Sequence, residues 1–158
     1  MSTLRPMERA LDGTGRHFAV VASRFNTEIV DRLLAGACAA LERHGVDRER
    51  IEIVRVPGAW EIPLALESLA RTERFDGLVA LGAVIRGETA HFEYVAGECS
   101  RGVMDVSLRH ALPVGFGVLA CETLEQALAR AGGAAGDKGE EAALAALEMI
   151  DVLERNGA

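Results

Sequence analysis

Aromatic side chains are rare in this chain: five Phe, one Trp and one Tyr among 158 residues. Lysine is rarer, since Lys138 is the only one among 17 basic residues. A basic surface is also missing. The acidic residues outnumber the basic ones 24 to 17, a net charge of −7, which excludes the broad positive face that nucleic-acid binding requires. Uncharged apolar runs such as Leu78 to Ile85 fall far short of the ~20 residues of a membrane-spanning helix. The three cysteines, Cys38, Cys99 and Cys121, include no CxxC pair and no zinc-ligand spacing. A reducing cytoplasm is the expected compartment. The first residues, MSTLRPMERALDGTGRH, carry charges where a secretory leader has an apolar core, so no leader is expected.

What is present reads as one folded domain. Hydrophobic residues make up 49% and charged residues 26%, a balance that favours a globule over a disordered chain. Residues 1–16 are polar and aperiodic and read as an N-terminal arm; residues 17–158 read as the single domain. Within it, strands are expected over 17–23, 50–56, 78–85 and 113–121. Helices are expected from Thr27, as a cap, to His44, then from Pro63 to about Thr72. Others are expected over about 90–110, over 123–130 and over about 140–155. A glycine-rich break separates the last two. This βαβαβαβα order predicts an α/β, flavodoxin-like three-layer sandwich: a four-stranded parallel sheet with helices on both faces.

Open parallel sheets bind ligands beyond the carboxyl ends of their strands. Here those ends carry Ser23-Arg24-Phe25-Asn26, Pro57-Gly58-Ala59-Trp60-Glu61, Arg86 to His91, and Cys121-Glu122-Thr123. Gly87-Glu88-Thr89 ends a strand and opens a helix, so its N–H groups suit an anion, or Thr89 simply caps the helix. Arg86 beside it suits an anion or a surface acid. His91, in the first turn, suits proton transfer or a structural role. Phe25 and Trp60 are flat faces for a planar heterocycle, or ordinary packing. Glu61 can accept hydrogen bonds from a polyol or favour a helix start. Lys138 invites an imine reading, yet the bias toward arginine across the chain explains its rarity without chemistry. His17, His44 and His110 read as structural. Gly115-Phe116-Gly117-Val118-Leu119-Ala120 fits GxGxxA but lies inside a strand, where it cannot cradle a phosphate.

Several of these segments together are similar to one enzyme family. Arg24-Phe25-Asn26, Val56 to Pro63, Ala80 to Glu93 and Phe116 to Leu119 resemble the 6,7-dimethyl-8-ribityllumazine synthases, as does the tail from Glu122 to Gly139. The resemblance implies condensation of 5-amino-6-(D-ribitylamino)uracil with 3,4-dihydroxy-2-butanone 4-phosphate in riboflavin biosynthesis, with neither cofactor nor metal. It implies that the imine joins the two substrates, so Lys138 need not be a nucleophile. By matching motif, Phe25, Ala59, Trp60, Glu61, Ala83, Val84 and Ile85 would hold the pyrimidine and its ribityl chain. Glu88, through its N–H, and Thr89 would bind phosphate, and His91 would move protons. Phe116 and Arg130 match residues that arrive from a neighbouring subunit. Arg86 and Lys138 are secondary candidates. Family members form homopentamers, some stacked as a 60-subunit icosahedral capsid. The absence of an insertion between Gly132 and Gly139 favours that shell, with the arm joining a neighbour's sheet. Three departures stand out: Trp60 for the common Phe or Tyr, Ala120-Cys121 for a common Thr-Thr pair, and Asp137 for a usual Asn. The alternatives are a flavin- or lumazine-binding carrier and a mainly structural shell protein on the same scaffold.

Overall fold

The computed structural model describes residues 11–157. Strands β1 (Phe18–Ser23), β2 (Ile51–Val56), β3 (Gly77–Ile85) and β4 (Val114–Cys121) form one sheet in the order β2-β1-β3-β4. Every neighbouring pair in it is parallel. Helices α1 (Thr27–Arg43), α2 (Ile62–Ala70), α3 (His91–His110), α4 (Leu124–Ala129) and α5 (Lys138–Arg155) connect and cover the strands. The expected flavodoxin-like architecture is the observed one.

Alternation along each strand builds two cores. Phe18, Val20 and Ala22 of β1 join Val79 and Leu81 of β3 beneath α1 and α5. Ala19 and Val21 join Leu78 and Ala80 beneath α2 and α3. A strand covered on both faces has no polar side to show, which is why these segments read as unbroken apolar runs. On α1, Ile29, Val30, Leu33, Ala37 and Leu41 form the buried stripe that helical spacing predicts. The GxGxxA match is resolved by packing. A methyl group on Gly115 would sit 2.1 Å from the carbonyl oxygen of Ala142, so this glycine lets α5 lie directly on β4.

The structure differs from expectation at chain reversals. Thr27 does not cap α1: Asn26 occupies the cap position in a left-handed conformation (φ 61°), and the Thr27 hydroxyl donates to the Arg24 carbonyl. The glycine-rich break is an antiparallel hairpin of β5 (Ala131–Gly133) and β6 (Gly136–Asp137). Gly132 and Gly136 turn it with φ of +89° and +91°. Helix α5 begins earlier than expected because the Asp137 carboxylate accepts from the N–H groups of Gly139 (2.9 Å) and Glu140 (3.1 Å). Short 3₁₀ turns at Arg48–Arg50 and Ala59–Glu61 were not foreseen.

The expected arm lies mostly outside the described residues. Its last part is held to the domain. The Gly13 N–H donates to the His44 carbonyl at 2.7 Å, and Arg16 pairs with Glu154 at 2.5 Å. Among the described residues, no helix is long and apolar enough to cross a membrane.

Helices α2 and α3 are joined at their carboxyl ends through Glu67, whose side chain is only 13% exposed. Its carboxylate meets His110 Nε2 (2.8 Å), Arg71 (2.8 Å) and Arg109. The hydrogen bond from His110, then those from the two guanidinium groups, hold the Glu67 carboxyl at about 2, against an ordinary 4.5. A carboxyl depressed on folding stabilises the fold above its ordinary pKa, and that contribution fades as pH falls toward the folded value. Glu67→Gln is therefore expected to lower the melting temperature at pH 7, with the gap to wild type narrowing between pH 4.5 and 2. Thermal unfolding across that range checks it; a gap independent of pH would contradict the linkage.

Candidate active site

The carboxyl ends of β1, β2 and β3 and the start of α3 surround a cavity of about 820 Å³. Phe25 and Trp60 stand on its walls, 71% and 55% exposed, although both are large aromatic groups. Two backbone bonds set the Phe25 turn: Arg24 N–H to the Val56 carbonyl (2.7 Å) and Phe25 N–H to the Pro57 carbonyl (3.0 Å). Trp60 rides on the 3₁₀ turn that leads into α2. The Glu61 carboxylate closes that turn by accepting from the Gly58 N–H at 3.0 Å. Glu61 thus favours the helix start, as expected, and also lines the cavity. Ala83, Val84 and Ile85 supply the β3 edge.

The opposite wall comes from Gly87, Thr89 and His91. The Thr89 hydroxyl accepts from the His91 N–H only at 3.4 Å, a weak closure of the helix start. Helix α3 has no side-chain cap at Ala90, so the positive end of a 20-residue helix opens beside the cavity. Glu88 is exposed in the same loop but is not one of the cavity walls. Arg86 turns away. It meets Glu122 at 2.8 Å and Glu93 at 3.5 Å, and its guanidinium lies 4.7 Å from the centre of the Phe92 ring. The hydrogen bond to Glu122 raises its pKa further. Of the two roles considered for Arg86, the structure shows the pairing with surface acids.

Phe92, Tyr94 and Val95 also line the cavity and were not anticipated. The clue was available: Tyr94 and Val95 follow His91 by three and four positions, so they share its side of the helix.

Phe116, Arg130 and Lys138 lie elsewhere. With Cys121 they border a second, smaller cavity of about 230 Å³ beside β4, which shares no lining residue with the first. Arg130 donates to the Gln126 carbonyl at 2.9 Å. Lys138 pairs with Glu141 at 2.9 Å and is 45% exposed, whereas a reactive imine-forming lysine is desolvated. Asp137 does not pair with it, since its carboxylate caps α5. Burial raises the Cys121 thiol and Arg130 partly offsets this, while burial alone pushes Cys99 to about 11. Neither thiol is poised as a nucleophile. Among the described residues, no three His, Cys, Asp or Glu side chains cluster as metal ligands.

The family model for 6,7-dimethyl-8-ribityllumazine synthase matches residues 15–154. The chain belongs to that family. It is 54% identical to a protein of that name from Desulfovibrio desulfuricans over 155 residues, covering 98% of this chain and 99% of the relative. It is 50% identical to one from Lawsonia intracellularis over the same shares. It is 54% identical to one from Halorhodospira halophila over 87% of this chain and 88% of the relative. The match spans the residues that line both cavities.

A planar heteroaromatic ligand in the larger cavity is expected to quench the emission of Trp60, the only tryptophan. Trp60→Phe is expected to abolish that signal while calorimetric affinity stays within about tenfold, the two rings being comparable stacking surfaces. Saturation by calorimetry with unchanged emission would place the ring elsewhere.

Proposed function

We propose that the protein condenses 5-amino-6-(D-ribitylamino)uracil with 3,4-dihydroxy-2-butanone 4-phosphate to give 6,7-dimethyl-8-ribityllumazine. The observation that carries this reading is one cavity holding exposed aromatic faces, a carboxylate and a helix start with a histidine, in a chain of the lumazine synthase family. The 5-amino group attacks the ketone and loses water to form an imine. Elimination then expels inorganic phosphate. The enol left by that elimination tautomerises to a ketone at the carbon that bore the hydroxyl, and the ribityl-bearing nitrogen closes the ring on this new ketone with loss of a second water. Each step moves protons, and none changes the redox state of the pair or calls for a cofactor.

In this reading Phe25 and Trp60 contact the pyrimidine, Ala59 and Glu61 meet the ribityl hydroxyls, and Ala83, Val84 and Ile85 present backbone groups to the ring edge. Thr89 and the Glu88 N–H take the phosphate at the start of α3, where amide donors and the helix dipole favour an anion. His91 carries protons between the imine and the leaving phosphate. Phe116 and Arg130 complete a neighbour's site, and their separation from the larger cavity supports a site shared between adjacent subunits. Arg86 and Lys138, both engaged with carboxylates, stay secondary.

The assembly in this reading is a homopentamer, twelve of which close into an icosahedral capsid. β2 and β4 are the two edge strands of the sheet, and β2 is the one to which a neighbour's arm, residues 1–16, can add. The unit from 17 to 158 acts as one domain. The three free thiols suit a reducing cytoplasm.

The test mixes purified protein with both substrates and follows lumazine fluorescence; a rate no higher than the spontaneous condensation refutes the proposal. Arg130→Ala is expected to raise KM for the phosphorylated ketone about tenfold or more, the worth of a charge-assisted hydrogen bond, with pyrimidine affinity within about twofold. Equal losses for the two substrates would contradict its role. His91→Ala is expected to slow turnover by about a hundredfold or less, at or below the low end for acid–base help, because the reaction proceeds partly unaided. An unchanged rate removes His91 from the chemistry.

A further inference from the structure

We infer that Asn26 is a positioning residue for the pyrimidine, tying the turn that carries Phe25 to the edge of β3. The inference rests on the functional reading above. β1 ends at Ser23 and α1 begins at Thr27, so the chain reverses within Arg24, Phe25 and Asn26. Asn26 makes the reversal in the left-handed region, φ 61° and ψ 48°, which asparagine tolerates better than most side chains. It stands at the cap position of α1, where an asparagine ordinarily accepts from the first helical N–H groups. Here it does not cap. Its backbone carbonyl takes the Ile29 and Val30 N–H groups at 3.1 Å each, and its side chain points the other way, donating from Nδ2 to the Ala83 carbonyl at 2.9 Å.

The site of that bond matters. The ladder between β1 and β3 ends at Ala22 and Leu81, so Ala83 lies beyond the last backbone partner that β1 offers. The Asn26 amide takes the place of the missing strand donor. Because a peptide unit is planar, holding the Ala83 oxygen also fixes the plane of the Ala83–Val84 amide. The same turn is held to the end of β2 by the Arg24 and Phe25 N–H groups. Phe25 is therefore set against two strands at once, and Asn26 supplies the side-chain part of that fixing. A pyrimidine that stacks by its face on Phe25 and meets β3 by its edge needs the spacing between them held.

Asn26→Gly keeps the left-handed backbone and removes the tether. Asn26→Asp keeps the size and turns the donor into an acceptor facing the Ala83 carbonyl. In both, KM and Kd for the pyrimidine are expected to rise about fivefold or more, roughly the effect of one net hydrogen bond. KM for the phosphorylated ketone is expected to stay within about twofold. If Asn26 serves only the backbone turn, Asn26→Gly will match wild type throughout; that result, or equal rises in both KM values, overturns the inference. Phe25→Ala, measured alongside, separates two failures. If it leaves pyrimidine Kd unchanged, the assignment of the ring site fails and the tether falls with it. If it weakens the pyrimidine while both Asn26 variants match wild type, the tether alone is wrong.

Discussion

Parallel pairing governs this structure. Strands that all run the same way cannot return directly, so every strand-to-helix connection leaves from one edge of the sheet. Register then shapes that edge. Ser23 and Val56 end β1 and β2 side by side, whereas β3 continues to Ile85, beyond its last pairing with β1 at Leu81. The sheet therefore has a step, and the larger cavity sits on it, walled by the two short strands' turns and floored by the longer strand. Without the two apolar cores that cover both faces, this backbone step would have nothing to hold it.

The charge of the chain acts locally here. A net charge of −7 opposes long-range attraction of anions, but several arginines already meet carboxylates: Arg55 with Asp31, Arg43 with Glu140, and Arg101 with Glu98 and Asp105. Exposed pairs of this kind add little to stability and are screened by salt. Their effect is to neutralise the surface by pieces, and the amide dipoles at the start of α3 would then act at short range on the phosphate proposed to bind there. Arg130 differs, since its guanidinium donates to the neutral Gln126 carbonyl.

The layer order, strand positions and most helix bounds were legible because buried strands and amphipathic helices repeat with simple periods. The walls of the candidate cavity were legible as far as they lay at strand ends, hence Phe25, Trp60, Thr89 and His91. What escaped prediction depends on single φ angles and on contacts distant in sequence. Thr27 looked like the cap because its type suits one; only the left-handed turn at Asn26 shows why it is not. Asp137 looked only like a departure from a usual Asn, yet its carboxylate spans two helical N–H groups, a geometry no spacing rule displays. The Glu67 cluster joins residues more than 40 positions apart and leaves no local pattern.

The scarcity of aromatics becomes informative once their positions are known. Phe18 and Phe75 are buried, while Phe25, Trp60, Tyr94 and Phe116 are exposed. The cores are instead filled with Ala, Val, Leu and Ile, small enough for helices to lie close on the sheet, as Gly115 and Ala142 require. A chain that spends so few aromatics inside and leaves four of its seven on the surface exposes apolar area that a monomer in water would not favour. Three of the four line the larger cavity and the fourth borders the smaller one, beside Arg130. Covering them takes something that presents a flat apolar face to both cavities. In the proposed shared site, a ring held in the larger cavity and roofed by an adjacent copy's Phe116 would cover Phe25, Trp60 and Phe116 together. Under that proposal, assembly and substrate binding would draw on the same few side chains.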